Sequence, residues 1–315
     1  MVNTLHEKKV LIIGDAMLDI NTHGVCERIS PEAPVQVVKK SHDIITLGGA
    51  GNNLVNLHYL EVPTDFITVI GNDTNTEIML AELKKIDSSN VIVFREDRKT
   101  TVKNRIVAST HQILRIDEED TFDVLPETQT LILKEITQNI QKYSVILISD
   151  YNKGVCCEEL IRKILEIATK HNVKVICDPK KLDISIFKGC YFITPNRVEL
   201  EKMLGTKLSD WHSVEQALNY MKGFIDVPLV TLSEKGIAYI IDGKMHISNA
   251  IAKDVVDVTG AGDTVISTLA YAIHNGIEIN NAVELANKAA SIVVSRFGTS
   301  FVTKQDLNSL SENSK

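Results

Sequence analysis

Short apolar runs of strand length alternate with stretches of helical period along most of the chain, and few folds accommodate that order. Residues 10–14, 66–70, 144–149, 173–177, 191–193 and 229–232 read as buried strands. Residues 52–60, 77–85, 131–140, 158–171, 197–204 and 214–224 read as helices. In 158–171, Leu160, Ile161, Ile164, Leu165 and Ala168 share one face. Strands alternating with helices imply right-handed crossovers and a mainly parallel central sheet flanked by helices, an α/β fold.

Two stretches break the alternation. Residues 24–40 and 91–117 contain VQVVK, VIVF, TVKNRIVA and QILRID, with a period near two and no helix between them. They predict a small antiparallel sheet inserted into the body, drawn from about residues 16–45 and 91–118. One face of such a sheet is available to cover a site or meet a partner. At about 150 residues per domain, 315 residues allow two domains or one large α/β domain. We read 1–308 as a single domain and 309–315 as an irregular tail.

The net charge of −7 argues against a nucleic-acid binder, which needs a basic face. No run approaches the roughly 18 apolar residues of a membrane span. The polar start lacks the apolar centre of a secretory signal, so a cytoplasmic location is expected. The five cysteines (Cys26, Cys156, Cys157, Cys177, Cys190) form no C-x-x-C, which disfavours a disulfide framework or a cysteine zinc site. The nine histidines show no H-E-x-x-H.

The most specific motif is Asp257-Val-Thr-Gly260-Ala261-Gly262-Asp263-Thr264, followed by apolar helix positions Val265, Ile266, Leu269, Ala270 and Ile273. Glycines let a backbone approach a ligand, and the helix N-terminus favours phosphate oxygens. Asp263 adds a carboxylate able to accept a proton; a lone glycine turn would read as a turn with Asp as helix cap, but the full string late in an α/β chain favours the functional reading. A second motif, Gly48-Gly49-Ala50-Gly51-Asn52-Asn53, opens a helix and suits a small polar ligand; a flexible loop with an Asn cap is its alternative. A third, Gly14-Asp15-Ala-Met-Leu-Asp19, stands at the end of the first strand, where open α/β sheets bind ligands. Its carboxylates suit sugar hydroxyls. There is no GxxxxGK[ST] and no GxGxxG after the first strand, so the P-loop and nicotinamide dehydrogenase readings lose their support.

The early Gly-Gly-Ala-Gly-Asn and late Asp-x-Thr-Gly-Ala-Gly-Asp resemble the two signatures of the PfkB, ribokinase-like, sugar kinases. The resemblance spans nearly the whole chain. It implies a ribokinase-like α/β body with a β lid, ATP as co-substrate with Mg²⁺, room for a monovalent cation, and phosphoryl transfer to a sugar hydroxyl. A narrower resemblance is to bacterial D-glycero-β-D-manno-heptose 7-phosphate kinases. It rests on Arg28-Ile-Ser-Pro-Glu-Ala-Pro34, Gly14-Asp-x-Met-Leu-Asp19, Val102-Lys103-x-Arg105, Gln112-x-Leu-Arg115-x-Asp117, Ser149-Asp150-Tyr-x-Lys153-Gly154, Asp178-Pro-Lys180, Thr194-Pro-Asn196-x-x-Glu199 and Phe297-Gly-Thr-Ser300. Gln36 and Asn152 depart from that pattern, in place of a proline and a glycine.

The resemblance implies an ATP-dependent kinase that phosphorylates the anomeric hydroxyl of the heptose 7-phosphate, on the way to ADP-heptose and lipopolysaccharide core or another surface glycan. Another PfkB sugar kinase (ribose, fructose or a ketodeoxy acid) and a non-catalytic sugar or nucleotide sensor are the alternatives. Asp263 would be the base, and the amides of Gly260, Ala261 and Gly262 would hold the transferred phosphoryl. Asp15, Asp19, Gly48, Gly49, Asn52, Asp150 and Lys153 would bind sugar, with Lys103, Arg105 and Arg115 on the lid for its phosphate. Asn52 and Asn53 are adjacent, and Asn52 aligns better. Asn196 and Glu199 would organise ATP and Mg²⁺, the Mg²⁺ at Glu199 through water. Ser233, Gly236 and Asn287 would lie near the nucleotide; on the helix 282–294, Ala286, Ala289 and Ala290 read as close-packing residues. A homodimer through the lid is expected. No second nucleotide-binding motif follows, so the nucleotidylyl transfer carried by bifunctional relatives is expected of a separate protein.

Overall fold

The computed structural model describes residues 8–87, 89–109, 111–251, 255–296 and 300–312. In chain order the elements are β1 (Lys9–Gly14), β2 (Ala16–Ile29), β3 (Gln36–Gly49), α1 (Ala50–Tyr59), β4 (Thr64–Ile70), α2 (Thr74–Lys84), β5 (Ser89–Arg95), β6 (Val102–Ala108) and β7 (His111–Glu118). There follow α3 (Pro126–Asn139), β8 (Tyr143–Ser149), α4 (Glu158–Lys170), β9 (Lys174–Asp178), β10 (Phe192–Ile193), α5 (Arg197–Leu204) and α6 (Trp211–Met221). The chain closes with β11 (Leu229–Thr231), β12 (Ile237–Ile241), β13 (Lys244–Ser248), α7 (Ala261–His274), α8 (Ile279–Val294) and α9 (Lys304–Glu312).

The central sheet runs β10-β9-β8-β1-β4-β5, and every pairing in it is parallel. Alternation along each strand builds two cores. Leu11 and Ile13 of β1 with Ile146 and Ile148 of β8 pack under α3 and α4, while Val10, Ile12, Val145 and Leu147 pack under α1, α7 and α8. Burial on both faces is why these strands read as continuous apolar runs. The thiols of Cys156, Cys157, Cys177 and Cys190 are buried and free, as small hydrophobes are.

The lid is the sheet β3-β2-β6-β7. It differs from the expected antiparallel insert in two ways. β2 pairs with β6 in parallel, so the lid is mixed. VIVF belongs to β5, which pairs in parallel with β4 at the edge of the central sheet. β5 is only half-buried on both faces, Val91 and Val93 toward one core and Ile92 and Phe94 toward the other, so it lacks the fully buried run of a central strand. The strand expected over 229–232 is β11, which forms an antiparallel sheet with β12 and β13. It meets the body through a bridge between Asn196 and Thr231. The expected tail from residue 309 begins inside α9, and residues 313–315 lie outside the described residues, as do Phe297, Gly298 and Thr299.

Candidate active site

The carboxyl ends of β1, β8 and β9 meet the N-termini of α1 and α7, the position where open α/β sheets bind their ligands. Local sequence forces the geometry. Gly14 faces Ser149 across the β1–β8 ladder, and a Cβ there would overlap the Ser149 carbonyl. Gly49 turns the lid strand β3 into α1 with φ 58°, a left-handed value that favours glycine, and a Cβ would overlap the Asp15 carbonyl oxygen. Gly260 does the same for α7 with φ 80°.

Asp263, 6% exposed, lies at the centre. It caps no backbone amide of its helix. Instead Asn52 Nδ2 donates to its Oδ2 at 2.6 Å and the Tyr151 hydroxyl donates to its Oδ1 at 2.6 Å. Burial pushes the Asp263 carboxyl above its ordinary range, opposed by those two hydrogen bonds and by Lys180. The helix-cap reading of Asp263 therefore does not hold; its partners are side chains from α1 and from the loop after β8. Asn53 Nδ2 donates to Ser149 Oγ at 2.9 Å and, at 3.5 Å, to Asp263 Oδ1, while its Oδ1 accepts from Ser267 Oγ at 2.8 Å. Asn56 and Thr264 extend this polar seam between α1 and α7. Each buried amide in the seam is satisfied, which fixes the base against two helices.

The phosphate end is open on one side. A Cβ at Gly262 would meet nothing within 4 Å. The first amides of a helix have no partner within it. Ala261 is an exception to the expected set of anion donors, since its N–H is given to Val258 O at 3.2 Å.

Other expected ligands are placed otherwise. Asp15 is 1% exposed, and its oxygens accept from the backbone of Tyr151 (2.8 Å), Lys153 (3.1 Å) and Val155 (2.9 Å). Asp150 accepts from the backbone of Asn152, Lys180 and Lys181. Both carboxyls are raised by burial. They shape the two loops around the site, and backbone amides take three of the about four acceptor positions of each carboxylate. Asp15, Asp150 and Cys156 lie close enough together to suit a metal ion, but those amides already occupy the carboxylates. Lys153 pairs with Glu119 at 2.8 Å. Arg115 pairs with its neighbour Asp117 on the exposed strand β7.

The lid face over the site is charged. Lys103 is opposite Asp19 in the β2–β6 register, and Arg105 is ion-paired with Asp19. Gly48 makes room for that carboxylate, since a Cβ there would overlap Asp19 Oδ2. Burial lowers the Lys103 ammonium from its ordinary value. On the opposite side Lys180 pairs with Glu199 and stands 3.8 Å from Asp178. Burial pushes Asp178 up to about 7, with Lys180 opposing and Asp263 and Glu199 adding.

Asn196 caps α5 in a capping box with Glu199, whose Oε2 accepts the Asn196 amide at 2.9 Å. With Oε2 on that amide and Oε1 on Lys180, Glu199 suits a magnesium ion held through water rather than by direct coordination. Ser233 and Gly236 form the turn between β11 and β12, both at positive φ. Asn287 gives its amide to Ser248 and Asn249 and so ties α8 to the end of β13. Ala286 and Ala289 are fully buried in the core, as close-packing residues are.

Tyr151 and Asp178 carry no expected role although both stand within motifs quoted above; Asn53 is the alternative to Asn52, and Lys180 is open in the sequence between a surface lysine and a phosphate contact. A buried carboxylate beside a helix N-terminus, with cations from a lid on one side and from the end of β9 on the other, is built to move a phosphoryl group onto a hydroxyl; on this fold that is a sugar kinase. Residues 7–306 match the pfkB family carbohydrate kinases, and the chain belongs to that family.

A relative named bifunctional protein HldE, from Aliarcobacter butzleri, is 45% identical over 302 residues, covering 95% of this chain and 63% of its own length. The chain thus spans a little under two thirds of the curated relatives it matches first. Two solved structures share the fold. Phosphofructokinase-2 from Escherichia coli in complex with potassium has a TM-score of 0.80 at 16% identity, covering 98% of this chain and 99% of that one. Arabidopsis thaliana ribokinase with ribose and ATP has a TM-score of 0.73 at 21% identity, covering 96% of this chain and 98% of that one.

Proposed function

We propose that the chain transfers the γ-phosphoryl of ATP to the anomeric hydroxyl of D-glycero-β-D-manno-heptose 7-phosphate, giving the 1,7-bisphosphate and ADP, a step toward ADP-heptose and a surface glycan. The observation that carries the reading is Asp263, buried and held by Asn52 and Tyr151 beneath the open side of the Gly260–Gly262 turn. The sugar hydroxyl gives its proton to Asp263, its oxygen forms the new bond to phosphorus, and the bond from phosphorus to the bridging oxygen of ADP breaks. In a loose transfer the base mainly orients the nucleophile, and an anomeric hydroxyl is more acidic than an ordinary alcohol, so a carboxylate suffices. The amides of Gly260 and Gly262 stabilise the charge on the moving group.

The heptose is supported by similarity to the HldE relatives and by the lid cations. Lys103 and Arg105 would hold the remote phosphate, a reading supported by their position on the lid beside Asp19, which pairs with Arg105. Asn196 and Glu199 are the residues that would hold magnesium through water, and the ion supplies neutralisation of the ATP phosphates when bound. A monovalent cation near the nucleotide is a further expectation, checked by comparing turnover in potassium and in sodium salts.

Two copies pair through the lid. On the face opposite Lys103 and Arg105, Ile106, Leu114 and Ile116 form an apolar set, Leu114 being 54% and Ile116 48% exposed. Among the described residues no helix is long and apolar enough to cross a membrane, and ATP as co-substrate fits work in the cytoplasm.

The test is a panel of sugars and sugar phosphates with ATP, with product identification by NMR. The heptose 7-phosphate should be turned over fastest and gain a phosphate at its anomeric carbon. Faster turnover of ribose, fructose or fructose phosphates would replace the substrate assignment while leaving the kinase intact.

A further inference from the structure

The loop after β8 is held more rigidly than a surface turn requires. Asp15 accepts the amides of Tyr151, Lys153 and Val155, and Asp150 accepts that of Asn152. Asn152 takes φ 56°, an uncommon value for a side-chain-bearing residue. Two buried carboxylates and one strained residue thus fix the backbone of a short segment, and what that segment carries into the site is the Tyr151 ring. Its hydroxyl reaches Asp263 Oδ1 at 2.6 Å. Its ring is flanked by two ammonium groups, Lys103 from the lid at 5.8 Å from the centroid and Lys180 at 5.7 Å. Both lie within the range of a cation–π contact.

We propose that Tyr151 is the positioning residue of the phosphoryl-transfer base: its hydroxyl, aimed by the Asp15 and Asp150 cradle, fixes the plane of the Asp263 carboxylate and keeps it ionised for the sugar hydroxyl. The inference rests on Asp263 being that base. Asn52 takes Oδ2 and Tyr151 takes Oδ1. Asn53 Nδ2 also reaches Oδ1, at 3.5 Å; a carboxylate has about four acceptor positions, so the one left for the substrate is on Oδ2. Tyr151 stays a donor throughout the working range, because burial and the Asp263 charge push its phenol well above its ordinary value. The charged groups facing the pair are Asp19 from β2, Lys103 from the lid, and Asp178 and Lys180 at the end of β9. These remain when the hydroxyl is removed, so a change in the titration of Asp263 reports on the hydroxyl alone.

The experiment measures kcat against pH, with KM for both substrates and thermal stability, for Tyr151→Phe and for a variant carrying 3-fluorotyrosine at position 151. Loss of a hydrogen bond to a charged group corresponds to a fall in rate of about tenfold or more. In Tyr151→Phe, kcat should fall by that factor near neutral pH, the acidic limb of the profile should move to higher pH, and KM for ATP should hold within about twofold. The fluorinated ring keeps the hydroxyl and makes it a stronger donor, so its acidic limb should move the other way with the fold intact. In an Asp263→Asn background, Tyr151→Phe should change kcat no further. A uniform loss at every pH in Tyr151→Phe, with no shift in either variant, would overturn the positioning role while Asp263→Asn stays inactive, leaving the base assignment standing. Near-normal turnover in Asp263→Asn would remove the base assignment and this inference together.

Discussion

Replacing Asp263 by Asn tests the chemistry with little change in shape. The wild-type carboxylate accepts from Asn52 at Oδ2 and from Tyr151 at Oδ1, each at 2.6 Å. An amide can leave its oxygen on Asn52 and turn its NH₂ toward the Tyr151 oxygen, which then accepts instead of donating. The seam between α1 and α7 is kept, but the proton acceptor is gone. Proton abstraction contributes about 10²–10⁴-fold, so kcat should drop by at least about 100-fold. Nucleotide affinity should hold or improve, because a negative charge near the γ-phosphate has been removed.

Stability gives a second reading with a definite sign. The Asp263 carboxyl is raised above 3.8 by burial. Between 3.8 and the folded value the native state holds more protons than the unfolded chain, so wild-type stability falls as pH rises through that window. Above it the buried charge remains a cost that Asn does not carry. Asp263→Asn should therefore melt at or above the wild-type temperature at neutral and alkaline pH, with the difference vanishing toward about pH 4. In the wild type, activity should fade on acidification at a higher pH than an ordinary carboxylate would give. The assays are ADP release, nucleotide titration and thermal melts across pH. Turnover within about tenfold of wild type would refute the base assignment, and a large loss of stability would recast the carboxylate as a structural acceptor.

Gly49→Ala should destabilise the fold by about 2 kcal/mol or more in denaturant titration, since it combines a left-handed φ of 58° with overlap on the Asp15 carbonyl. Gly262→Ala should leave the melting temperature nearly unchanged, because its Cβ meets nothing within 4 Å, yet reduce turnover by filling the side where the phosphoryl group sits. Arg105→Ala should raise KM for the sugar phosphate by about tenfold or more with KM for ATP little changed; equal effects would make Arg105 a support for Asp19 and the lid. Leu114→Glu on the outer lid face should convert a dimer to a monomer by light scattering at micromolar concentration, and a wild-type monomer would remove the dimer proposal.

How far the site could be read from the chain depended on how local each feature is. The Gly48–Asn53 and Gly260–Asp263 strings announce two helix starts because the glycine conformations and the polar residues stand within a few positions of one another. Their meeting through Asn52 and Asp263, 211 residues apart, followed from the α/β alternation that brings strand ends to one edge. β5 reads as a lid strand because an edge strand of a parallel sheet is only half-covered, and the side-chain pattern reports cover rather than partner. Tyr151 was passed over for a related reason. It sits inside a motif whose charged members attracted attention, and its partner lies 112 residues away.

Asp15 and Asp150 show what residue type alone leaves open. Both are expected to bind substrate, and their oxygens accept backbone N–H groups of the loops after β8 and β9. A buried carboxylate costs several kcal/mol unless donors surround it, and the backbone supplies donors without a side chain to mark them in the sequence. The acids nearest the chemistry therefore divide by their donors. Those met by amides of neighbouring loops set the scaffold. Asp263 is met by side chains from two other elements beside an open phosphate turn, which leaves it a lone pair that a substrate can reach. That division makes Asp263, and not Asp15 or Asp150, the carboxylate whose loss should stop turnover while the fold survives.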